Sequence, residues 1–148
     1  MLLMMLSLAC GADSLGNSAD VEAVTQLVQD ELDAGYEGWD QLPGYEGVIE
    51  SSSVHGSHVQ IWVNEAALGA VEAADGGDMP EGAMLVKQGY DDAEGTDLGN
   101  LTAMYKDADF GWFWYSESPD GEVLEAGDAS ACSGCHSAGQ DMVLVTTW

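Results

Sequence analysis

The apolar residues Val21, Val24, Leu27, Val28 and Leu32 recur at a spacing that places them along one face of a helix opening at Ser18, with Gly35 as its stop. Asp30, Glu31 and Asp33 stand in its last turn, where negative charge opposes the helix macrodipole. This helix is therefore expected to depend on packing its apolar stripe into a core. Residues 35–47 lose the periodicity and read as an irregular connector anchored by Tyr36, Trp39, Pro43 and Tyr45. From His58 the pattern changes to short runs rich in β-branched and aromatic residues. Residues 58–63 form the first strand, and Asn64 caps a small helix from Glu65 to about Ala74. The turn 78–82 leads into a second strand over 83–88, a third covers 101–106, and a fourth covers 111–115. A turn at 118–121 precedes a short fifth strand over 122–124.

Consecutive strands joined by short turns predict an α+β fold, with a sheet of about five antiparallel strands flanked by helices and a C-terminal helix carrying the last motif. A chain of 148 residues has room for one such domain, expected over 20–148. The loop containing Asp91, Asp92, Glu94 and Asp97 lacks the spacing of an EF-hand and reads as a solvated loop.

Charge narrows the partners. There are 27 acidic residues against two lysines, a formal charge of −25. Nucleic acid and anionic membrane surfaces both need cationic contacts and are excluded as natural partners. The same surface suits docking to a basic redox partner, and it is also what adaptation to a salty environment produces.

The chemistry is concentrated in Cys132-Ser133-Gly134-Cys135-His136. Two thiols three residues apart can each add to a vinyl group of one haem, and the histidine that follows can bind the iron. A structural zinc site would need a fourth ligand from Cys10, His55 or His58, and a thioredoxin-type pair belongs near the start of its domain. The motif therefore predicts one covalent haem c held by Cys132 and Cys135, with His136 as its axial ligand. The commonest cytochrome c plan places this motif near the N-terminus with a methionine ligand downstream. Here His136 stands close to the C-terminal Trp148, so any sixth ligand must come from upstream. Bundle cytochromes need four long amphipathic helices, whereas the pattern here offers one long helix and several strands. His55 and His58 are candidate caps for the iron but read more simply as strand-end histidines, and Met84, Met104 and Met142 read as core.

The strand over 58–63 with its following helix, the order Pro80-Glu81-Gly82, Val86-Lys87, Met104-Tyr105-Lys106-Asp107 and Gly111-Trp112-Phe113-Trp114, and the closing motif with Asp141-Met142-Val143 together resemble the cytochrome P-460 family. The resemblance covers residues from about Ser53 onward. It implies a five-stranded antiparallel sheet, a homodimer, and a haem c whose far side is open. One branch of that family oxidises hydroxylamine and carries a bond from a strand lysine to the haem. The other, the cytochromes c′-beta, binds nitric oxide in an apolar pocket. By position Lys87 matches the cross-linking lysine, and burial beside a haem would favour its reactive neutral amine. Lys106 matches a recurrent family lysine expected to pair with a propionate or a surface carboxylate. Where hydroxylamine-oxidising members place a glutamate base, this chain has Thr102, whose hydroxyl can hydrogen-bond but cannot take up a proton in the same way. Three functions follow as expectations. The first is binding of a small nitrogen ligand such as nitric oxide, or electron transfer, at an open haem. The second is oxidation of hydroxylamine, with a c-type cytochrome as acceptor. The third is electron transfer by a six-coordinate haem.

The N-terminal run ending Leu8-Ala9-Cys10 is too short to span a bilayer and is similar to the end of a bacterial lipoprotein signal, with Cys10 the acylated residue. Residues 1–10 would be the signal segment and 11–19 a tether. Only this lipid would touch the membrane, and the protein would lie in the cell envelope, facing the periplasm or the surface.

Self-repulsion at a charge of −25 predicts that salt stabilises the fold. Raising NaCl from 0.01 to 1 M shortens the Debye length from about 30 Å to about 3 Å, so the thermal midpoint should rise. A midpoint that falls would mean that specific ion pairs outweigh the repulsion.

Overall fold

The computed structural model describes residues 18–144. Helices α1 (Ser18–Asp33), α2 (Glu65–Ala73) and α3 (Ser130–His136) accompany strands β1 (Asp40–Gln41), β2 (Ile49–Glu50), β3 (His58–Val63), β4 (Met84–Tyr90), β5 (Leu98–Asp107), β6 (Gly111–Glu117) and β7 (Val123–Gly127). They form one seven-stranded sheet in the order β1-β3-β4-β5-β6-β7, with β2 also on β3. Every pairing is antiparallel. The α+β class is as expected, but the sheet has seven strands rather than about five. The two extra strands, β1 and β2, are two residues long, too short to carry a period, and both exist only because β3 offers them its free edge. Among the described residues no helix is long and apolar enough to cross a membrane. Cys10, the apolar N-terminal run and the tether up to residue 17 lie outside the described residues.

The sheet is buried on both faces, which is why β4 reads as an apolar run rather than an alternation. On one face Val28 and Leu32 of α1 pack against Met84, Val86, Leu101, Ala103, Phe113 and Tyr115. The helix presents Val21, Val24, Val28 and Leu32 to the sheet, whereas Leu27, expected on the same stripe, is 39% exposed. Gly35 ends the helix at φ +105, with its N–H on the Leu32 carbonyl. The opposite face carries Ile61, Val63, Leu85, Met104, Trp112 and Trp114, covered by Ala67 of α2, Ala129 and Val143, with Cys132 packed at the margin. Asn64 locks α2 to this layer. Its Oδ1 accepts from Ala67 N (3.1 Å) and Met84 N (3.0 Å), while Nδ2 donates to the Gly82 carbonyl (2.8 Å).

One carboxylate ties the segment after α3 to the sheet. Asp141 accepts from Lys106 Nζ at 2.9 and 3.0 Å, from Trp112 Nε1 at 3.1 Å and from Met79 N at 2.7 Å. Lys106 also lies over the Trp112 ring, 4.9 Å from its centre. Lys106 thus pairs with a carboxylate, as one of its expected roles had it, but within the fold. The Lys106 and Asp141 side chains are only 20% and 11% exposed. Removing Asp141 would strand an ammonium, an indole N–H and a backbone N–H together. Asp141→Ala is therefore expected to cost about 3 kcal/mol in urea denaturation. Asp141→Asn should cost less, because its amide oxygen still accepts.

Candidate functional site

Strand register builds one wall of the site. Ile61, Lys87 and Thr102 are successive cross-strand partners on β3, β4 and β5, and Leu85, Met104 and Trp114 form the neighbouring row. The helix α3 brings Cys132 and His136 over these rows, enclosing a cleft of about 550 Å³ counting its open mouth. The cleft is mainly apolar. Its polar side chains are those of His55, Lys87, Thr102, Cys132 and His136, and no carboxylate lines it among the described residues.

His136 is held in one tautomer. Its Nδ1 lies 2.8 Å from the Met142 carbonyl, which can only accept, so Nδ1 carries the proton and Nε2 keeps its lone pair. The Met142 carbonyl is presented by a tight turn, with Val143 N donating to the Gln140 carbonyl (2.8 Å). Both central residues sit at positive φ, Asp141 at 39° and Met142 at 66°. Neither is glycine, so the turn carries backbone strain of about 1–2 kcal/mol per residue. The contacts of the Asp141 side chain hold it in place. Trp114 lies against the imidazole with ring centres 4.8 Å apart and planes at 66°. Burial and, to a lesser degree, the nearby Lys87 push the His136 pKa down, against the Met142 bond, which raises it.

His55 enters the cleft on the loop 51–57, which joins β2 to β3. The loop can lie on the sheet because residue 89 of β4 is glycine. A Cβ at Gly89 would fall 1.9 Å from the His55 carbonyl oxygen. The Thr102 hydroxyl sits 3.4 Å from the Lys87 carbonyl and 3.3 Å from His55 Nδ1. If it donates to the carbonyl, its oxygen accepts from Nδ1–H, leaving the His55 Nε2 lone pair free. Burial, then the positive charge of Lys87, then His136 lower the His55 pKa to about 4, so the imidazole is neutral at neutral pH. Burial likewise pushes the Lys87 amine below its ordinary value. Cys132 is pushed up by burial, then by Glu125 and Cys135.

The fold therefore gathers Lys87, Thr102, Cys132 and His136 around one cleft, though they are far apart in the chain. Cys135 is exposed on the same helix as Cys132, three residues on and so on the same side, and both thiols are free. His58 lies at the start of β3, its Nδ1 3.1 Å from the Ser57 hydroxyl, as a strand-end histidine should. Met104 lines the cleft, whereas Met84 belongs to the other face. His55, expected to behave like His58, instead belongs to the cleft. Gly89 makes room for it inside β4, but the strand read from the sequence ended at residue 88, so that glycine did not mark a close approach.

The residues fit a haem c. A helix carries the two thiols and a histidine with a free Nε2, and of these Cys132 and His136 face a mainly apolar cleft. Among the described residues no three His, Cys, Asp or Glu side chains are grouped to hold a metal ion by themselves. A porphyrin supplies four donors of its own, so one or two histidines suffice. No family model matches the chain, and no curated protein is significantly similar to it.

The close approach at Gly89 gives a direct test. Gly89→Ala is expected to cost about 1–3 kcal/mol in urea denaturation and to make His55 more reactive toward diethyl pyrocarbonate, because the loop must lift. Gly69→Ala, in α2 with nothing within 4 Å of the new Cβ, should be neutral or stabilising.

Proposed function

We propose that the protein is an exported c-type monohaem cytochrome of the P-460 type that transfers electrons and takes up a small nitrogen ligand such as nitric oxide. Its haem would be joined to Cys132 and Cys135 and bound through His136 Nε2. The observation that carries this reading is the anchored imidazole of His136 on the same helix as the two thiols, facing a mainly apolar cleft. A haem bound there supplies an iron that can exchange one electron and accept one small ligand.

The chain's own residues fit the rest of the task. The Met142 carbonyl fixes the ring of His136 and makes its free nitrogen a better donor. Ile61, Leu85, Met104 and Trp114 make the cleft lining mainly apolar. His55, Lys87 and Thr102 are the polar groups a ligand entering it would meet. A surface with a formal charge of −25 favours fast encounter with a basic redox protein, such as a basic c-type cytochrome. Acylation of Cys10, a place in the cell envelope and a homodimeric state belong to the same proposal.

A second reading is oxidation of hydroxylamine with Lys87 bonded to the haem. It draws on the placement of a half-buried Lys87 in the cleft wall, where burial lowers the pKa of its amine. Among the described residues no carboxylate lines the cleft to take the place of the glutamate base expected for that reading, so ligand binding and electron transfer are the better fit.

The test is to mature the full chain with haem in a host that makes c-type cytochromes. Wild-type protein should retain haem peroxidase stain on a denaturing gel. Cys132→Ala with Cys135→Ala should lose it, and His136→Ala should keep the stain with an altered spectrum. Nitric oxide should change the spectrum of the reduced protein. A strongly red-shifted Soret band would favour the cross-linked enzyme, and wild-type protein without covalent haem would defeat both readings.

A further inference from the structure

The two histidines of the cleft are placed as a pair. The ring centres of His55 and His136 are 6.2 Å apart, and their planes are nearly perpendicular, at 86°. An imidazole nitrogen lies about 1.1 Å from its ring centre and binds a metal at about 2.0 Å, so two imidazoles sharing one metal from opposite sides have centres about 6.2 Å apart. Edge-to-face ring packing, at about 4.5–7 Å between centres, also admits that separation, and no hydrogen bond joins the two rings. In each ring the δ1 nitrogen is the one already engaged, by the Thr102 hydroxyl in His55 and by the Met142 carbonyl in His136. The ε2 nitrogens are thus the donors left for a metal.

The rest of the loop is organised around this placement. Gly89 allows the His55 backbone to lie against β4, and Gly56 takes φ +133 just after it. Ser51 N bonds the Ser57 carbonyl at 2.8 Å, closing the base of the loop, and the Ser57 hydroxyl donates to the Tyr90 carbonyl at 3.2 Å. A side chain with no task in the cleft would not need so close an approach. It also costs a half-buried imidazole whose hydrogen bond to Thr102 is long.

We infer that His55 is the sixth ligand of the haem iron, opposite His136, and that Thr102 orients it. The inference rests on the haem reading above and deepens it. The resting protein is a bis-histidine cytochrome suited to electron transfer. A small ligand gains the iron only when the loop 51–57 withdraws His55. Thr102 is then a positioning residue for the distal imidazole.

The test is spectroscopic and uses the mature holoprotein. At neutral pH without added ligand, the wild-type oxidised protein should be low-spin. Its electron paramagnetic resonance signal should be strongly anisotropic, as near-perpendicular imidazole planes require, and its near-infrared magnetic circular dichroism should be that of two nitrogen ligands. His55→Ala should become high-spin and return to low-spin with added imidazole. Its reduced form should bind nitric oxide at least about tenfold faster, since the binding-competent state no longer has to wait for His55 to leave. The wild-type spectra need no variant, so a His55→Ala that fails to fold does not prevent the test. A high-spin wild type, or a low-spin state unchanged in His55→Ala, overturns the inference while leaving covalent haem intact. Loss of covalent haem from the wild type overturns the haem reading itself, and the inference with it.

Discussion

The site depends on one strained turn held down by one carboxylate. Asp141 and Met142 both occupy left-handed backbone without being glycine, a conformation an isolated peptide would avoid. Lys106, Trp112 and the Met79 N–H hold the Asp141 side chain from β5, β6 and the segment leading into β4. With the turn held, the Met142 carbonyl meets His136 Nδ1, and the orientation of that imidazole over Trp114 follows. A contact outside the cleft thus sets which nitrogen faces into it. The strain sits a few residues after Cys132, Cys135 and His136, the candidate site of the chain.

Both lysines of the chain are drawn to this layer. Lys106 neutralises Asp141, and Lys87 stands in the cleft wall between Ile61 and Thr102. No other lysine and no arginine offsets the acidic residues of a chain with a formal charge of −25. The contrast separates two electrostatic regimes. Outside, repulsion is long-ranged and yields to salt. Inside, burial governs, lowering the pKa of Lys87, His55 and His136 together. Desolvation and mutual repulsion work in the same direction there.

Much of the fold was legible because it follows local rules. The strand over 58–63 was read to the residue, Asn64 was the cap it was expected to be, and the helix from Ser18 stopped before Gly35. The strands 83–88, 101–106 and 111–115 were found but read short, since cross-strand pairing extends β5 and β6 beyond their apolar centres. The strands β1 and β2 could not be read. Leu27 was misplaced because its stripe is wider than the surface the sheet offers it.

The sequence by itself determined the longer elements and the spacing of Cys132, Cys135 and His136. Cys132, Cys135 and His136 lie on one helical segment because helix geometry relates residues three and four apart, whatever surrounds them. The pairing of Lys87 with Thr102 followed only once β4 and β5 had chosen their register. The arrival of His55 in the same cleft as His136 needed more still. It required a hairpin loop, a missing Cβ at Gly89 and a hydroxyl from a third strand, and none of these signals its partner along the chain. Local pattern specifies what a segment is, whereas contacts between distant segments are decided by the packing that closes the loops between them.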